Sequence, residues 1–183
     1  MPTRKRTRRS ARRPSSSPSP IPPGYPTVIP YLAVTDGPAA LEFYAKAFGA
    51  KVLVRQLTPN GKLVHGRLRF GTSLVMVSDV FPGADVAAPS TVGTTTVTLH
   101  LYSRNVDALW DRAVAAGAVV TRPLENQFWG ERYGHLRDPF GHHWSLSMRV
   151  KMSAKEKATK QREAMAAFAA GVHPGRDPPD SDA

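Results

Sequence analysis

The order of extended and helical segments in residues 27–80 is repeated in residues 94–150, and this repeat is the strongest constraint on the fold. In each half one extended segment precedes an amphipathic helix, and three extended segments follow it. The two helix exits also match, with FGAKV at 48–52 and AGAVV at 116–120, each with a glycine where the helix ends. An internal duplication accounts for both observations. We therefore predict two βαβββ modules within one domain of residues 27–150.

The second module ends in a segment rich in aromatic and histidine residues, Glu125–Arg149. Two extended runs, 132–137 and 142–149, flank the tetrapeptide DPFG at 138–141. Aspartate at the first position, proline at the second and glycine at the fourth are typical of a type I turn. The sequence therefore predicts a tight β-hairpin, with Trp129 before its first strand and Trp144 in its second.

Three further segments are predicted outside this domain. Residues 1–26 consist largely of Arg, Ser and Pro and bury too little apolar surface to offset the entropy of ordering, so we expect a disordered basic arm. Ser153 and Glu156 have the spacing of a capping box, which predicts a C-terminal helix in residues 151–170. Residues 171–183 are expected to be a disordered tail.

The positive charge is concentrated in the arm. The formal net charge of the chain is +11, and residues 4–13 carry seven Arg or Lys side chains without an acid. Such a segment is typical of weak, salt-dependent contact with nucleic acid. A solvated tail, or a start assigned upstream of a protein that begins near Tyr25, is the simpler interpretation.

Composition excludes several other classes of protein. The chain has no cysteine, so it has no disulfide, no thiolate metal site and no cysteine nucleophile. No apolar run is as long as a membrane span, and no apolar segment follows the basic start as a secretory signal requires. We expect a soluble, cytoplasmic protein without membrane contact.

Motifs in both modules resemble the vicinal oxygen chelate superfamily, which includes glyoxalases, bleomycin-resistance proteins, extradiol dioxygenases and fosfomycin-resistance enzymes, and within it the PhnB-like group. The matching segments are residues 29–32, 43–44, 48–50, 65, 99–102, 113–118, 128–130, 132–134 and 138–144. The resemblance implies an α+β fold in which the tandem βαβββ modules form a half-open barrel. It also implies that one face of each sheet packs on the helices and the other lines a concave cup for a ligand.

Strand alternation predicts which side chains face this cup. In the strand that ends the hairpin, Trp144 and Leu146 are expected to face the helix and Ser145 the cup. In the strand from Thr94, Leu99 and Leu101 are expected to face the helix. The other predicted cup residues are Ile29, Tyr31, Ala33, Ser73, Val75, Val77, Asp79, Thr96, Thr98, His100, Tyr102, His143 and Ser147.

Metal-dependent members of the superfamily place His, Glu or Gln at one cup-facing position on the first and fourth strands of each module. By the resemblance these positions are Ile29, Val75, Thr98 and Ser145, and none of them is an ordinary ligand of a catalytic metal. This alignment puts His100 and His143 four residues apart, which is too far for a shared ion. We therefore expect no metal and no other cofactor. A site that pairs His65 with His100 remains the alternative, and His142 and His173 are expected to be exposed.

Aromatic and basic side chains make up the predicted ligand site. A cup lined by aromatic rings favours a flat, largely apolar organic molecule. The carboxylates Asp79 and Glu125 are isolated in the sequence and give only weak signals for acid–base chemistry. The predicted ligand-binding residues are Tyr31, His65, His100, Tyr102, Trp129, Arg132 and Tyr133.

Three hypotheses for function follow. The first is a homodimeric, metal-independent protein of the PhnB-like type that binds a small organic molecule. The second is a metal-dependent lyase, isomerase or dioxygenase with a non-standard ligand set. The third is a nucleic-acid-associated protein that acts through residues 4–13. The sequence leaves open whether any reaction is catalysed and which ligand is bound.

Overall fold

A computed structural model describes residues 19–172, so residues 4–13 of the basic arm, His173 and most of the predicted tail lie outside the described residues. Each module has one four-stranded sheet. The first contains β1 (Tyr31–Val34), α1 (Gly37–Phe48), β2 (Lys51–Leu57), β3 (Leu63–Phe70) and β4 (Ser73–Asp79). The second contains β5 (Thr98–Tyr102), α3 (Val106–Ala115), β6 (Val119–Asn126), β7 (Glu131–Arg137) and β8 (His143–Arg149). The short helix α2 (Pro89–Val92) lies between the modules, and α4 (Ala154–Ala169) follows them.

The two sheets have the same topology, which confirms the predicted tandem βαβββ fold. Their strand orders are β1-β4-β3-β2 and β5-β8-β7-β6. The first strand of each module pairs in parallel with the fourth, and the remaining pairs are antiparallel. Neither sheet is closed, so each has two edge strands. Within residues 19–172 no helix is both long and apolar enough to cross a membrane.

Both long module helices begin at a polar cap. The Asp36 carboxylate accepts from the Ala39 amide at 3.1 Å, and the Asn105 side chain accepts from the Ala108 amide at the same distance. Gly49 ends α1 with φ of 70°, a left-handed conformation that glycine adopts without strain. These caps fix where each helix starts and hence which of its faces meets the sheet.

One hydrophobic core is shared by the two modules. The rings of Tyr44 and Phe48 in α1 lie 5.4 Å and 4.5 Å from the Trp144 ring in β8. Leu68 and Val77 of the first sheet and Leu136 and Leu146 of the second belong to the same buried cluster. Each sheet therefore has an inner face on this core and an outer face that points away from it. The Trp144 and Leu146 assignments to the helix side are confirmed.

The turn between β7 and β8 ties the modules together through Asp138. The amide of Gly141 donates to the carbonyl of Asp138 at 3.0 Å, as expected for the predicted turn. The buried Asp138 carboxylate accepts from the Tyr44 hydroxyl at 2.8 Å and from Nε1 of Trp144 at 2.9 Å. His142 was expected to be exposed, but it is buried, with its Nε2 atom 3.0 Å from the carbonyl oxygen of Ala33. The turn is packed against β1, and this contact removes His142 from solvent.

The predicted faces of β4 are wrong. Val75 and Val77 pair with Leu68 and Gly66 on the inner face, and Asp79 is buried with them. The Asp79 carboxylate accepts from the amides of Gly37 and Leu63 at 2.9 Å and 2.6 Å, so it organises the start of α1 and β3. The outer face of β4 instead carries Met76 and Ser78, which pair with Tyr31 and Ala33 of β1.

The C-terminal helix α4 packs on the loop before β7. Ser153 caps it by accepting from the Glu156 amide at 3.1 Å. Its Phe168 ring lies 6.4 Å from the ring of Phe128, and Ala164 is its buried residue. This contact places α4 beside the loop that carries Trp129.

Candidate functional site

Polar and aromatic side chains collect on the outer face of the second sheet. In β5, His100 and Tyr102 alternate with the inward Leu99 and Leu101, and they pair with Ser145 and Ser147 of β8. On the other side of β8, Tyr133 pairs with Ser147 and His135 with Ser145. The register therefore confirms that His100, Tyr102, Ser145 and Ser147 share the face opposite the helices, although Ser145 and Ser147 are themselves buried.

Three side chains hold the carboxylate of Glu131 on this face. The Tyr102 hydroxyl donates to Oε1 at 2.9 Å. The Ser147 hydroxyl and Nε1 of Trp129 both donate to Oε2, at 2.8 Å and 3.1 Å. All three donors are uncharged, and in the described part of the chain Glu131 forms no salt bridge. The carboxylate is fixed in position without a cationic partner.

Four rings form a continuous group beside Glu131, which we call the ring cluster: Tyr102, His100, Tyr133 and Trp129. The His100 ring meets Tyr102 edge-on at 4.5 Å and stacks on Tyr133 at 5.9 Å with an interplanar angle of 24°. Trp129 meets Tyr133 edge-on at 5.3 Å. Tyr102 is 61% exposed, so the cluster opens to solvent at that end.

The hydrogen bonds at Glu131 shift the pKa values of Glu131 and Tyr102. Partial burial raises the pKa of the Glu131 carboxyl, but hydrogen bonds from Ser147, Tyr102 and Trp129 and the nearby His100 ring outweigh it, so the pKa lies below its ordinary value. The hydrogen bond to Glu131 raises the pKa of the Tyr102 phenol. Near neutral pH the site therefore presents an ionised carboxylate and a protonated phenol.

The middle of the face is polar. Nδ1 of His100 lies 2.8 Å from Oγ of Ser145, and Nε2 of His135 lies 2.6 Å from the Tyr133 hydroxyl. The Arg122 guanidinium lies 5.7 Å from the centroid of the Tyr133 ring. A groove of about 650 Å³ reaches His100, but it runs between the two modules, because Phe70 and Val75 of the first and Leu99 and Trp144 of the second also line it. Hydrogen-bonding groups are thus available next to the rings.

Tyr31 and His65 lie on the outer face of the first sheet. The Tyr31 hydroxyl is 3.2 Å from Nδ1 of His65, and their rings meet edge-on at 5.8 Å. Within residues 19–172 no hydrogen bond or ring contact joins this pair to the ring cluster. Because the inner faces of both sheets share one core, the two outer faces of a single chain point in different directions. One chain therefore does not assemble the whole predicted site.

Arg132 is not part of either outer face. It pairs with Met148 on the inner side of the second sheet. Its Nε and Nη2 atoms both lie 2.7 Å from Oδ1 of Asp107, in the first turn of α3. The prediction that Arg132 meets a ligand in the cup does not hold, because its guanidinium is already bound to the helix on the other side of the sheet.

The register also corrects the predicted spacing of His100 and His143. Ser145 pairs with His100, not with Thr98, and His143 pairs with Thr98, so His100 and His143 are offset by two residues rather than four. The equivalent pair in the first module is Tyr31 and Met76. A set of one imidazole, one phenol, one thioether and one hydroxyl does not fit the His and carboxylate sites of the metal-dependent members. In the described residues no three His, Asp or Glu side chains converge as a metal site.

Sequence reasoning missed Glu131. The strand was predicted to begin at Arg132, whereas β7 begins one residue earlier. Side chains two residues apart share a face, so Tyr133 on the cup side already places Glu131 there. Extending the alternation by one step would have found it.

Comparisons with known proteins agree with this fold. The family model for the Glyoxalase/Bleomycin resistance protein/Dioxygenase superfamily matches residues 27–146. The chain belongs to this superfamily, as the resemblance implied.

Individual relatives are similar over the same region. An uncharacterized protein of Mycobacterium tuberculosis is 46% identical over 129 residues, which cover 69% of this chain and 76% of that protein. The crystal structure of TioX from Micromonospora sp. ML1 is 31% identical with a TM-score of 0.55, covering 67% of this chain and 98% of TioX. The PhnB protein of Bacillus cereus shares the fold at 17% identity and a TM-score of 0.54, over 69% of this chain and 100% of that protein.

Proposed function

We propose that the protein binds a small, flat organic molecule on the outer face of the second sheet. The observation that carries this proposal is the ring cluster beside a fixed carboxylate on a solvent-facing sheet surface. Aromatic faces and a few placed polar groups are typical of small-molecule sites. The ligand-binding residues in one chain are Tyr102, His100, Trp129, Tyr133 and Glu131.

A homodimer completes the site in this proposal. Tyr31 and His65 lie on the outer face of the first sheet, where the Tyr31 side chain is 54% exposed. A two-fold axis between two chains would set the first sheet of each against the second sheet of the other and cover both faces. The exposed apolar side chain of Val119 on β6, which pairs with Arg137 on the outer face, supports such an interface.

In this proposal the protein binds its ligand without a metal. On the first and fourth strands of the two modules, Tyr31 pairs with Met76 and His100 with Ser145, and the side chains near them offer hydrogen bonds and ring contacts. We propose a binding role in the cytoplasm, in which the ligand is held by stacking and hydrogen bonds rather than activated by a Lewis acid.

The experiment is a fluorescence titration with planar aromatic molecules, comparing the wild type with Trp129→Ala. Ligands should quench tryptophan emission saturably. Removing the Trp129 ring should weaken binding by roughly 1–3 kcal/mol through lost stacking and buried area. Trp110→Phe is the matched control, because Trp110 packs against Gly134 on the inner side of the sheet. Equal affinity in the wild type and Trp129→Ala would show that the ligand binds elsewhere.

A further inference from the structure

Glu131 is a charged group whose partners are all neutral. Tyr102, Ser147 and Trp129 fill three acceptor sites of its carboxylate. A carboxylate offers about four such sites. The remaining site belongs to Oε1, which accepts from Tyr102, an exposed ring of the cluster. The carboxylate therefore has one lone pair available to a group that enters the outer face.

The rings around this carboxylate also favour a positively charged ligand. The faces of aromatic rings carry partial negative charge and attract cations. Trp129 and Tyr102 both touch Glu131 through their polar ends, so their rings flank the carboxylate. A carboxylate between aromatic rings is the arrangement that recognises organic cations, because ring faces stabilise a weakly hydrated positive charge that the carboxylate neutralises.

One cationic side chain of the protein, Arg149, lies at this end of the face. It is opposite Glu131 in the β7–β8 ladder, and its charge acts to lower the pKa of the Tyr102 phenol. Arg149 is exposed, however, and among the described residues it forms no salt bridge with Glu131. Arg122 lies over the Tyr133 ring, at 5.7 Å from its centroid, and its guanidinium donates to Gln127 at 3.0 Å. The His100 ring is near enough to lower the pKa of Glu131 and shares its Nδ1 hydrogen bond with Ser145.

We propose that the ligand is a planar organic cation, with its ring system on the ring cluster and a quaternary ammonium or protonated nitrogen against Glu131. This assignment rests on the proposed small-molecule function and narrows it to one charge class. Glu131 acts as the specificity residue, and Ser147, Tyr102 and Trp129 position its carboxylate.

The test compares three probes of similar shape near neutral pH: 1-methylquinolinium, uncharged quinoline and the anion naphthalene-2-sulfonate. Isothermal titration on the wild-type protein should give a Kd for 1-methylquinolinium at least ~10-fold lower than for quinoline, and the sulfonate should bind most weakly. Added NaCl should raise the Kd of 1-methylquinolinium and leave the Kd of quinoline unchanged. These wild-type measurements do not depend on any variant folding.

Glu131→Gln should raise the Kd of 1-methylquinolinium ~10-fold or more and bring it close to that of quinoline, whose own Kd should hardly change. Glu42→Gln is the matched control. It removes the same charge from an exposed residue of α1 that pairs with Arg55 on the protein surface, and it should leave all three affinities unchanged.

Either of two results would overturn the inference. The first is that the sulfonate binds more tightly than the cation, or that quinoline and its cation bind equally. The second is a cation preference that persists in Glu131→Gln, whether or not the variant remains dimeric. In each case Trp129-dependent binding would leave the proposed function standing. If none of the three probes binds, both proposals fall.

Discussion

Tyr44 is the residue that links the two modules most directly. It is fully buried in α1, and its hydroxyl donates to Asp138 in the turn of the second module. Burial, followed by the charge and hydrogen bond of Asp138, raises the pKa of the Tyr44 phenol well above its ordinary value. A phenol with a raised folded-state pKa stabilises the fold at pH values below its unfolded pKa, and this contribution is lost as the pH rises toward the folded pKa.

Tyr44→Phe tests the contribution of this hydrogen bond to stability. The variant should lose roughly 1–3 kcal/mol of unfolding free energy at neutral pH, because the Asp138 carboxylate loses a buried donor. It should also lose part of the alkaline destabilisation that begins near the unfolded tyrosine pKa of about 10. Urea unfolding followed by circular dichroism from neutral to alkaline pH measures both effects. A variant with the wild-type slope at alkaline pH would show that Tyr44 ionisation is not coupled to unfolding.

Single residues of the candidate site were predictable where their strand alternates clearly between polar and apolar side chains. His100 and Tyr102 in β5 were placed correctly, because they alternate with Leu99 and Leu101, which pack against the core. Arg132 and Tyr133 are neighbours on one strand, so alternation sends them to opposite faces and they cannot share a site. Glu131 was absent because the strand boundary was set one residue too late.

At the scale of elements, β4 shows where alternation fails. Leu74 and Val75 are adjacent and both buried, so the strand is apolar on both faces. Its hydrophobic pattern therefore does not indicate which face packs on the core. The β5–β8 register was misjudged for a different reason. A slip of two residues keeps every side chain on its own face, so the pattern cannot detect it. Only the observed pairing of His100 with Ser145 settles the register.

The β7–β8 hairpin with its flanking loop supports a prediction about its two tryptophans. Trp144 lies on the inner face, 2% exposed and in contact with Tyr44, Phe48 and Phe70. Trp144→Ala should cost about 3–5 kcal/mol of unfolding free energy, because it leaves a cavity in the shared core. Trp129 lies at the outer face, so Trp129→Ala should cost only ~1 kcal/mol. Thermal and urea unfolding of both variants provide the comparison, and the reverse order would mean that the faces of the hairpin are exchanged.

For the molecule as a whole, the duplicated order of elements predicted the two sheets and their topology, because each βαβββ unit is defined by local signals. The relation between the modules was not predictable in this way. It depends on contacts such as Tyr44 with Asp138 and Phe48 with Trp144, which join residues far apart in the sequence. These contacts pack the inner faces of the two sheets around one core, and the predicted site residues therefore lie on two separate outer faces.

We propose that two chains bring these outer faces together around the ligand. The chain contains no cysteine, so single introduced cysteines report on this arrangement without background. Tyr31→Cys marks the first sheet and Tyr102→Cys the second. After the two variant proteins are mixed and allowed to exchange subunits, a short bismaleimide should join them into a product of twice the mass of the chain. Neither variant alone should give this product in comparable yield. No cross-linked product in the mixture, or equal product from either variant alone, would contradict the account.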